Sequence, residues 1–283
     1  AQVCNFDEVT TKDLSGANPV KFIHGDIMDD KTSDILCQGM DAIIHLAANT
    51  GVQPSIENPL EDLQNNIIGT FNYLNAARKS KVNIFITASS GATLGNAEPP
   101  LHEDMLTRPI SPYGASKLAT EAYCSAFYNS YGLKTAVLRF SNVYGPLSHR
   151  KNSVVAKFIR SSLLKNIIQI NGNGSQTRDF IYIDDLVDAI YKCAVSNIIQ
   201  CDILQIASGR ETSINQLSEI IIHALKRRPY ANIVIEHRDS LIGDTKRNYA
   251  VIEKASNLLN WKPMEPLNSG IEKTIDFFIN KEL

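Results

Sequence analysis

What this sequence lacks narrows its function before any motif is read. It has no basic excess: 28 lysines and arginines face 30 acidic residues, for a net charge of −2. Nucleic acid and anionic membrane surfaces need the opposite balance, so both partner classes are set aside. No stretch reaches the ~18–20 continuous apolar residues of a membrane span, and the opening residues do not read as a signal peptide. The five cysteines (Cys4, Cys37, Cys124, Cys193 and Cys201) are odd in number, scattered, and form no CxxC pair. They read as reduced structural thiols of a cytoplasmic protein, and neither a disulfide framework nor a metal site is expected. Internal repeats and low-complexity segments are also missing.

What is present is a large apolar reserve, 43% of 283 residues, enough for a sizeable core. Apolar runs alternate with helical spacing almost from the start. Residues 20–26 and 41–48 read as strands, and 59–80 carries helical spacing through Leu63, Ile67, Phe71 and Leu74. A strand at 83–90, a helix at 111–131 and a strand at 134–142 follow. These strands are continuous apolar runs, as expected where both faces are buried, so the fold class is α/β with a doubly wound parallel sheet.

Beyond Gly145 the rhythm loosens. Helices at 153–164, 184–195 and 213–226 are interspersed with short strands at 167–171, 180–183, 203–207 and 232–237. Two helical pieces close the chain around Leu258 and Ile275. The division that follows is a nucleotide-binding unit at 1–150 and a smaller α/β substrate lobe at 151–283, interleaved with it.

Chemistry concentrates in Tyr113-Gly-Ala-Ser-Lys117. Positions i and i+4 share one face of a helix, so phenol and ammonium point into the same cleft. The lysine can lower the tyrosine pKa and make its phenolate a general base near neutral pH. Alone, the pair more often marks only a surface lysine below a half-buried tyrosine. Its context is Ser89-Ser90, which ends the preceding strand, where doubly wound sheets place ligand-contacting side chains. A Ser90 hydroxyl there can hydrogen-bond the oxygen that Tyr113 deprotonates. The three together suit the oxidation of an alcohol to a ketone.

Further segments carry a family resemblance: His45-Leu-Ala-Ala48, Asn65-Asn66-Ile-Ile-Gly69-Thr70, Leu138-Arg-Phe-Ser-Asn142-Val-Tyr-Gly145-Pro146 and Thr177-Arg178-Asp-Phe-Ile-Tyr-Ile-Asp184-Asp185. With the serine pair and Ser111-Pro-Tyr113-Gly-Ala-Ser-Lys117, the chain resembles the extended short-chain dehydrogenase/reductases, in their nucleotide-sugar epimerase/dehydratase branch. The resemblance implies a Rossmann-like sheet and NAD as cofactor. Tyr113 becomes the catalytic base, Lys117 the holder of the nicotinamide ribose, and Ser90 the group that orients the sugar hydroxyl. Asp26 and Ile27 would contact the adenine, Asp7 the adenosine ribose. Ala47 and Ala48 would let backbone pass close to the cofactor, with Asn66 bracing that region. Asn142, Asn152, Arg178 and Arg238 would meet the sugar diphosphate, for which a guanidinium fork is well shaped.

Structural roles compete for several of these residues. Arg178 beside Asp179 also fits an ion pair. Asp184 and Asp185 read as caps of the next helix rather than metal ligands. His24 and His45 read as packed strand residues, and Trp261 as a packing anchor.

One family feature is missing altogether: the first strand and its Gly-x-x-Gly-x-x-Gly turn, which seats the cofactor pyrophosphate on a helix N-terminus. The sequence opens on what fits the second strand. Because the first strand normally lies between the second and fourth, the chain is expected to be part of a longer one; loss of cofactor binding is the alternative.

The resemblance implies a UDP-glucose/UDP-galactose-type 4-epimerase working through a 4-keto intermediate, in a homodimer. Dehydratases of this branch carry Asp-Glu after the strand-end residue, where this chain has Gly91-Ala92. UDP-uronate decarboxylases share the same oxidation step, and a non-catalytic nucleotide-sugar sensor is the alternative from another class. Aligned through Gly243-Asp244, Asn248 stands where family members control entry of N-acetyl groups, so N-acetylated sugars are expected to fit.

Overall fold

The computed structural model describes residues 21–228, 230, 232–240 and 245–282. Helix α1 (Asp30–Leu36) precedes strand β1 (Ala42–His45). Helices α2 (Val52–Glu57) and α3 (Pro59–Leu63) lead through a π-helical turn (Gln64–Ile68) into α4 (Gly69–Lys79). Strand β2 (Ile84–Ser90), a 3-10 turn (Gly91–Leu94), helix α5 (Pro112–Tyr131) and strands β3 (Lys134–Phe140) and β4 (Asn142–Tyr144) follow. Next come α6 (Val154–Lys165), β5 (Ile167–Asn171), β6 (Thr177–Arg178), β7 (Phe180–Tyr182), α7 (Ile183–Ala194) and β8 (Cys201–Ile206). The last elements are β9 (Thr212–Ser213), α8 (Ile214–Lys226), β10 (Val234–Arg238), α9 (Glu253–Leu259) and α10 (Leu267–Glu282).

A parallel sheet in the order β1-β2-β3-β8 forms the centre. Residues of its inner strands β2 and β3 alternate between two buried faces, as successive strand residues must. Phe85 and Val137 point into one cluster with Leu74, Ala77, Cys124 and Phe127 from α4 and α5. Ile84, Ile86, Ala136 and Leu138 point the other way, onto Leu186 and Ile190 of α7, Leu259 of α9 and Trp261. The Trp261 indole N–H also donates to the Asp185 carbonyl at 3.0 Å, so this residue is the packing anchor its context implied. A separate apolar cluster joins α6, β5, α8 and α10 around Phe158, Ile168, Leu217 and Phe278.

Register levels the strand ends. Ser90 stands opposite Phe140, and Phe140 opposite Ile206. Side chains at the carboxyl end of β2 therefore open towards the segments that leave β3 and β8, the usual ligand edge of such sheets.

Two expectations fail at the start of the described chain. Residues 21–26 form no strand, and His24 is exposed rather than packed. A strand needs a ladder partner; β1 is the outer strand of the sheet, and the expected neighbour at Ala1–Asp7 lies outside the described residues. Phe22 and Ile23 are accordingly 46% and 43% exposed, and Ile44 of β1 is 45% exposed, so β1 is not covered on both faces. Strand β8 joins the main sheet, and α7 and α9 cover that sheet's second face.

Candidate active site

Helix α5 is aimed at the sheet by its first turn. The Ser111 hydroxyl caps it by accepting the Gly114 N–H at 3.1 Å, and Pro112 occupies the opening position. The Tyr113 N–H, another donor the helix cannot satisfy itself, goes to the Ser55 hydroxyl at 3.1 Å. Gly114 is required by contact: a Cβ there would lie 2.5 Å from the Ala92 carbonyl oxygen. Helix and post-β2 turn are thus in direct contact, which brings the Tyr113 phenol to the Ser90 hydroxyl, itself the acceptor of the Ala92 N–H at 3.2 Å.

One helical turn on, Lys117 is buried, 5% exposed, and its Nζ donates to the Ala88 carbonyl at 3.0 Å. That nitrogen is 5.9 Å from the Tyr113 ring centroid. Ser90, Tyr113 and Lys117 therefore converge at the carboxyl end of β2.

Their electrostatics correct one expectation. Burial pushes the Tyr113 phenol above its usual range, helped by the nearby Asp62 carboxylate and opposed by the Ser90 bond. Burial also lowers the Lys117 ammonium to about 8, with Asp62 opposing. Without ligand, desolvation decides the state of the phenol. His45 is a core residue as expected: it faces the Thr70 hydroxyl at 3.1 Å, stacks on Phe85, and is held down to about 4 by burial and by Lys117.

Asn66 sits in the π-helical turn, 1% exposed. Its side chain accepts the Asn49 N–H at 2.7 Å and donates to the Asn49 carbonyl, the Asp62 carboxylate and the Ser116 hydroxyl. The turn's irregular backbone is stabilised by hydroxyls, since Thr70 and Thr120 both donate to the Asn66 carbonyl. This network clamps the loop that follows Ala47 and Ala48 to the inner face of α5. Ile27 packs on α4 at Gly69, where a Cβ would come within 2.5 Å of its side chain. Asp26 is exposed and accepts the Met28 N–H at 2.9 Å. Asp7 and Gly243-Asp244 lie outside the described residues.

The residues assigned to the sugar diphosphate are more dispersed. The Arg178 Nη1 donates to the Thr245 carbonyl at 2.7 Å, and the Thr177 N–H donates to the Lys246 carbonyl. The segment 245–251 runs on to Leu101, which pairs with Tyr249 and Val251, and the Asn248 amide lies 3.8 Å from where a Gly91 Cβ would stand. Arg178 and the Ser90 turn are thus linked by one strap of chain. Asn142 donates its amide to the Asp179 carbonyl at 3.1 Å. Exposed Asn152 accepts from Arg160 at 3.4 Å. Arg238 ends β10 opposite Asn171 of β5 and is exposed, away from the Ser90 group.

Asp179 serves the backbone of a neighbouring loop, and Asp185 differs from the helix cap expected of it. The buried Asp179 carboxylate accepts the Ser208 and Gly209 N–H groups at 2.7 and 3.0 Å. Asp185 lies in the first turn of α7, but its carboxylate accepts the Met264 and Glu265 N–H groups and stitches that segment down. No group of three or more His, Cys, Asp or Glu among the described residues is placed to hold a metal.

Sequence reading missed a buried ion pair beneath the site. Arg139 of β3 and Glu121 of α5 meet at 2.7 Å, 1% and 3% exposed, and Ser89 donates to the same carboxylate at 2.5 Å. Glu121 lies four residues beyond Lys117, on the face that carries Tyr113 and Lys117, a spacing that could have flagged it. Asp62 was also missed; it is 2% exposed, and its second oxygen has no hydrogen-bond partner in the structure.

Residues 2–207 match the family model described as the NAD dependent epimerase/dehydratase family. The chain belongs to that family. Among relatives of this epimerase/dehydratase is the UDP-glucose 4-epimerase of Mycolicibacterium smegmatis, 34% identical over 92% of this chain and 83% of that protein. The structure of UDP-N-acetylglucosamine 4-epimerase from Methanobrevibacter ruminantium, in complex with UDP-N-acetylmuramic acid, superposes with a TM-score of 0.88. Identity there is 31%, over 96% of this chain and 87% of that one. The UDP-glucuronic acid 4-epimerase of Bacillus cereus, in complex with UDP-glucuronic acid and NAD, gives 0.89 at 29% identity, covering 98% and 86%.

The protein is thus an NAD-dependent enzyme with a Rossmann-like parallel sheet, and its described residues fit the nicotinamide end of the cofactor. Lys117 uses one N–H on Ala88; among the described residues no protein group takes the other two, leaving them for a ribose diol.

Proposed function

We propose that this enzyme is a nucleotide-sugar 4-epimerase of the UDP-glucose/UDP-galactose type. The observation that carries the proposal is the convergence of Ser90, Tyr113 and Lys117 at one strand end, with phenol beside hydroxyl and ammonium beneath the ring. Tyr113 takes the proton of the sugar 4-hydroxyl, Ser90 orients that oxygen, and Lys117 holds the cofactor ribose and favours the phenolate. NAD, which Lys117 would hold by its ribose, would supply a reversible hydride acceptor for carbon 4, and a turn of the keto-sugar would present its other face before reduction. The phenol then gives its proton back to the reduced oxygen. Arg178, with Asn142 and Asn152, is assigned to the diphosphate side; Asp26, Ile27, Ala47, Ala48 and Asn66 are assigned to the cofactor side. On this reading the unit at 1–150 holds NAD and the lobe at 151–283 chiefly holds the nucleotide-sugar.

The residues after Ser90 favour epimerisation over 4,6-dehydration. Gly91 and Ala92 offer no acid to eliminate water, and the Ser90 hydroxyl itself caps the turn. Asn248 beside Gly91 is the residue assigned to sugar size, and its side chain, smaller than a tyrosine, supports acceptance of N-acetylated sugars.

A homodimer through α4 and α5 belongs to the same proposal. Phe71, Tyr123 and Tyr131 are 36%, 42% and 56% exposed there, and they form an edge-to-face chain through Phe127. Such a patch of aromatics suits a helix-pair interface. The cytoplasm is the proposed compartment, supported by four unpaired cysteines among the described residues.

The test is an NMR-monitored incubation with UDP-glucose, UDP-N-acetylglucosamine and UDP-glucuronic acid in the presence of NAD. Interconversion of a 4-epimer pair supports the proposal. Accumulation of a 4-keto-6-deoxy sugar or release of carbon dioxide points to dehydration or decarboxylation instead.

A further inference from the structure

The buried acid beside the site has no place in the mechanism above. Asp62 closes α3, which packs against α5. One carboxylate oxygen accepts the Asn66 amide at 3.0 Å, and the same amide donates to Ser116 at 3.0 Å, between Tyr113 and Lys117 on α5. The other oxygen is buried without a hydrogen-bond partner. Burying a carboxylate with half its acceptors unused is costly unless a cation is near. The nearby buried cation is Lys117.

We propose that Asp62 is a positioning residue whose negative charge sets the pH range in which the Tyr113–Lys117 pair works. The inference rests on the epimerase reading for its functional meaning, and on the Asp62–Asn66–Ser116 chain of contacts for its geometry. As an anion Asp62 does two things at once. It holds the proton on Lys117, which burial alone would release, and it holds the proton on Tyr113. Both effects move the working range towards higher pH.

Other charges around the pair are neutral, exposed or already paired. From β1, His45 is held neutral near pH 7. On α2, Glu57 is exposed, and on α3, Glu61 accepts from Asn58. Glu121 is tied to Arg139, Asp202 of β8 to Lys254, and Lys79 of α4 to Asp34. Arg78 lies over the Tyr131 ring, and Lys134 starts β3 at the far end of the strand from Ser90. Asp179, between β6 and β7, is taken up by the Ser208 and Gly209 N–H groups, whereas Asp62 keeps a buried oxygen without a hydrogen-bond partner.

The experiment compares Asp62→Asn with wild type in two readouts. In the pH profile of kcat/KM for UDP-glucose, both limbs should move to lower pH by ~1 unit, as one lost anion acts on both groups. In lysine 13Cε NMR of the protein without ligand, the Lys117 resonance, assigned with Lys117→Met, should titrate below the wild-type midpoint of about 8. Asp62→Glu, which keeps the charge, should return both limbs and the midpoint towards wild type. Asp62→Ser serves if the asparagine variant does not fold. A merely structural role would lower the whole profile without moving its limbs. Unmoved limbs with an unmoved Lys117 midpoint overturn the proposal. A wild-type protein that epimerises no UDP-sugar defeats the epimerase reading instead, and the lysine titration still judges Asp62.

Discussion

Replacing Lys117 with methionine should make the protein more stable while it destroys the activity. Lys117 is buried, and its ammonium is lowered from the ordinary 10.5 to about 8. Each pH unit of that difference is worth ~1.4 kcal/mol, so keeping the charge inside the fold costs ~3 kcal/mol at neutral pH. Methionine is of similar length and carries no charge, but it leaves the Ala88 carbonyl without its donor, a loss of ~1 kcal/mol. The net gain is ~2 kcal/mol, or about 4–8 °C in Tm for a chain of this size.

The pH dependence separates this cause from ordinary repacking. Below pH 8 the folded and unfolded chains both hold the proton, and the full penalty is present. Between about 8 and 10.5 the unfolded chain holds more protons, so wild-type stability rises relative to the variant. Above that range the advantage of methionine disappears. Denaturant unfolding of both proteins from pH 7 to 11 makes the measurement, with turnover assayed in parallel and predicted to fall ~100-fold or more. A variant less stable than wild type at pH 7, or a difference flat across the range, refutes the reasoning.

Arg139→Met should have the opposite effect, stranding the Glu121 charge with only Ser89 for company and costing ~3–5 kcal/mol in urea unfolding. Glu121→Leu in the same chain should recover much of the loss. A loss below ~1 kcal/mol contradicts a buried, intact pair. Asn66→Ala removes both bonds to the Asn49 backbone and should weaken NAD binding ~10-fold in calorimetry; unchanged affinity contradicts the bracing role.

The Ser90–Tyr113–Lys117 cluster was legible because it depends on local geometry. The i, i+4 step of α5 puts Tyr113 over Lys117, and a strand-end serine faces that helix in a βαβ unit. The parallel sheet followed from continuous apolar strands such as Ile84–Ser90, whose alternate residues fill two separate clusters. Asp62 and the Glu121–Arg139 pair were not legible, since their partners come from other elements and only tertiary packing makes them buried. The π-helical turn at Asn66 is likewise set by Thr70 and Thr120 hydroxyls, which no local spacing announces. Residues 21–26 have the composition of a strand, but pairing is a property of the neighbour. The direction of the Tyr113 shift was misjudged for a related reason: Coulomb attraction can be read from spacing, whereas desolvation depends on how much protein surrounds the group.

The most direct measurement is Tyr113→Phe, assayed for 4-epimerisation of UDP-glucose with NAD present and for UDP-glucose affinity by calorimetry. The change deletes one oxygen and leaves the ring in place. Turnover should fall ~100- to 10,000-fold while the dissociation constant stays within a few-fold of wild type. Turnover near the wild-type rate would show that the proton leaves the sugar by another route.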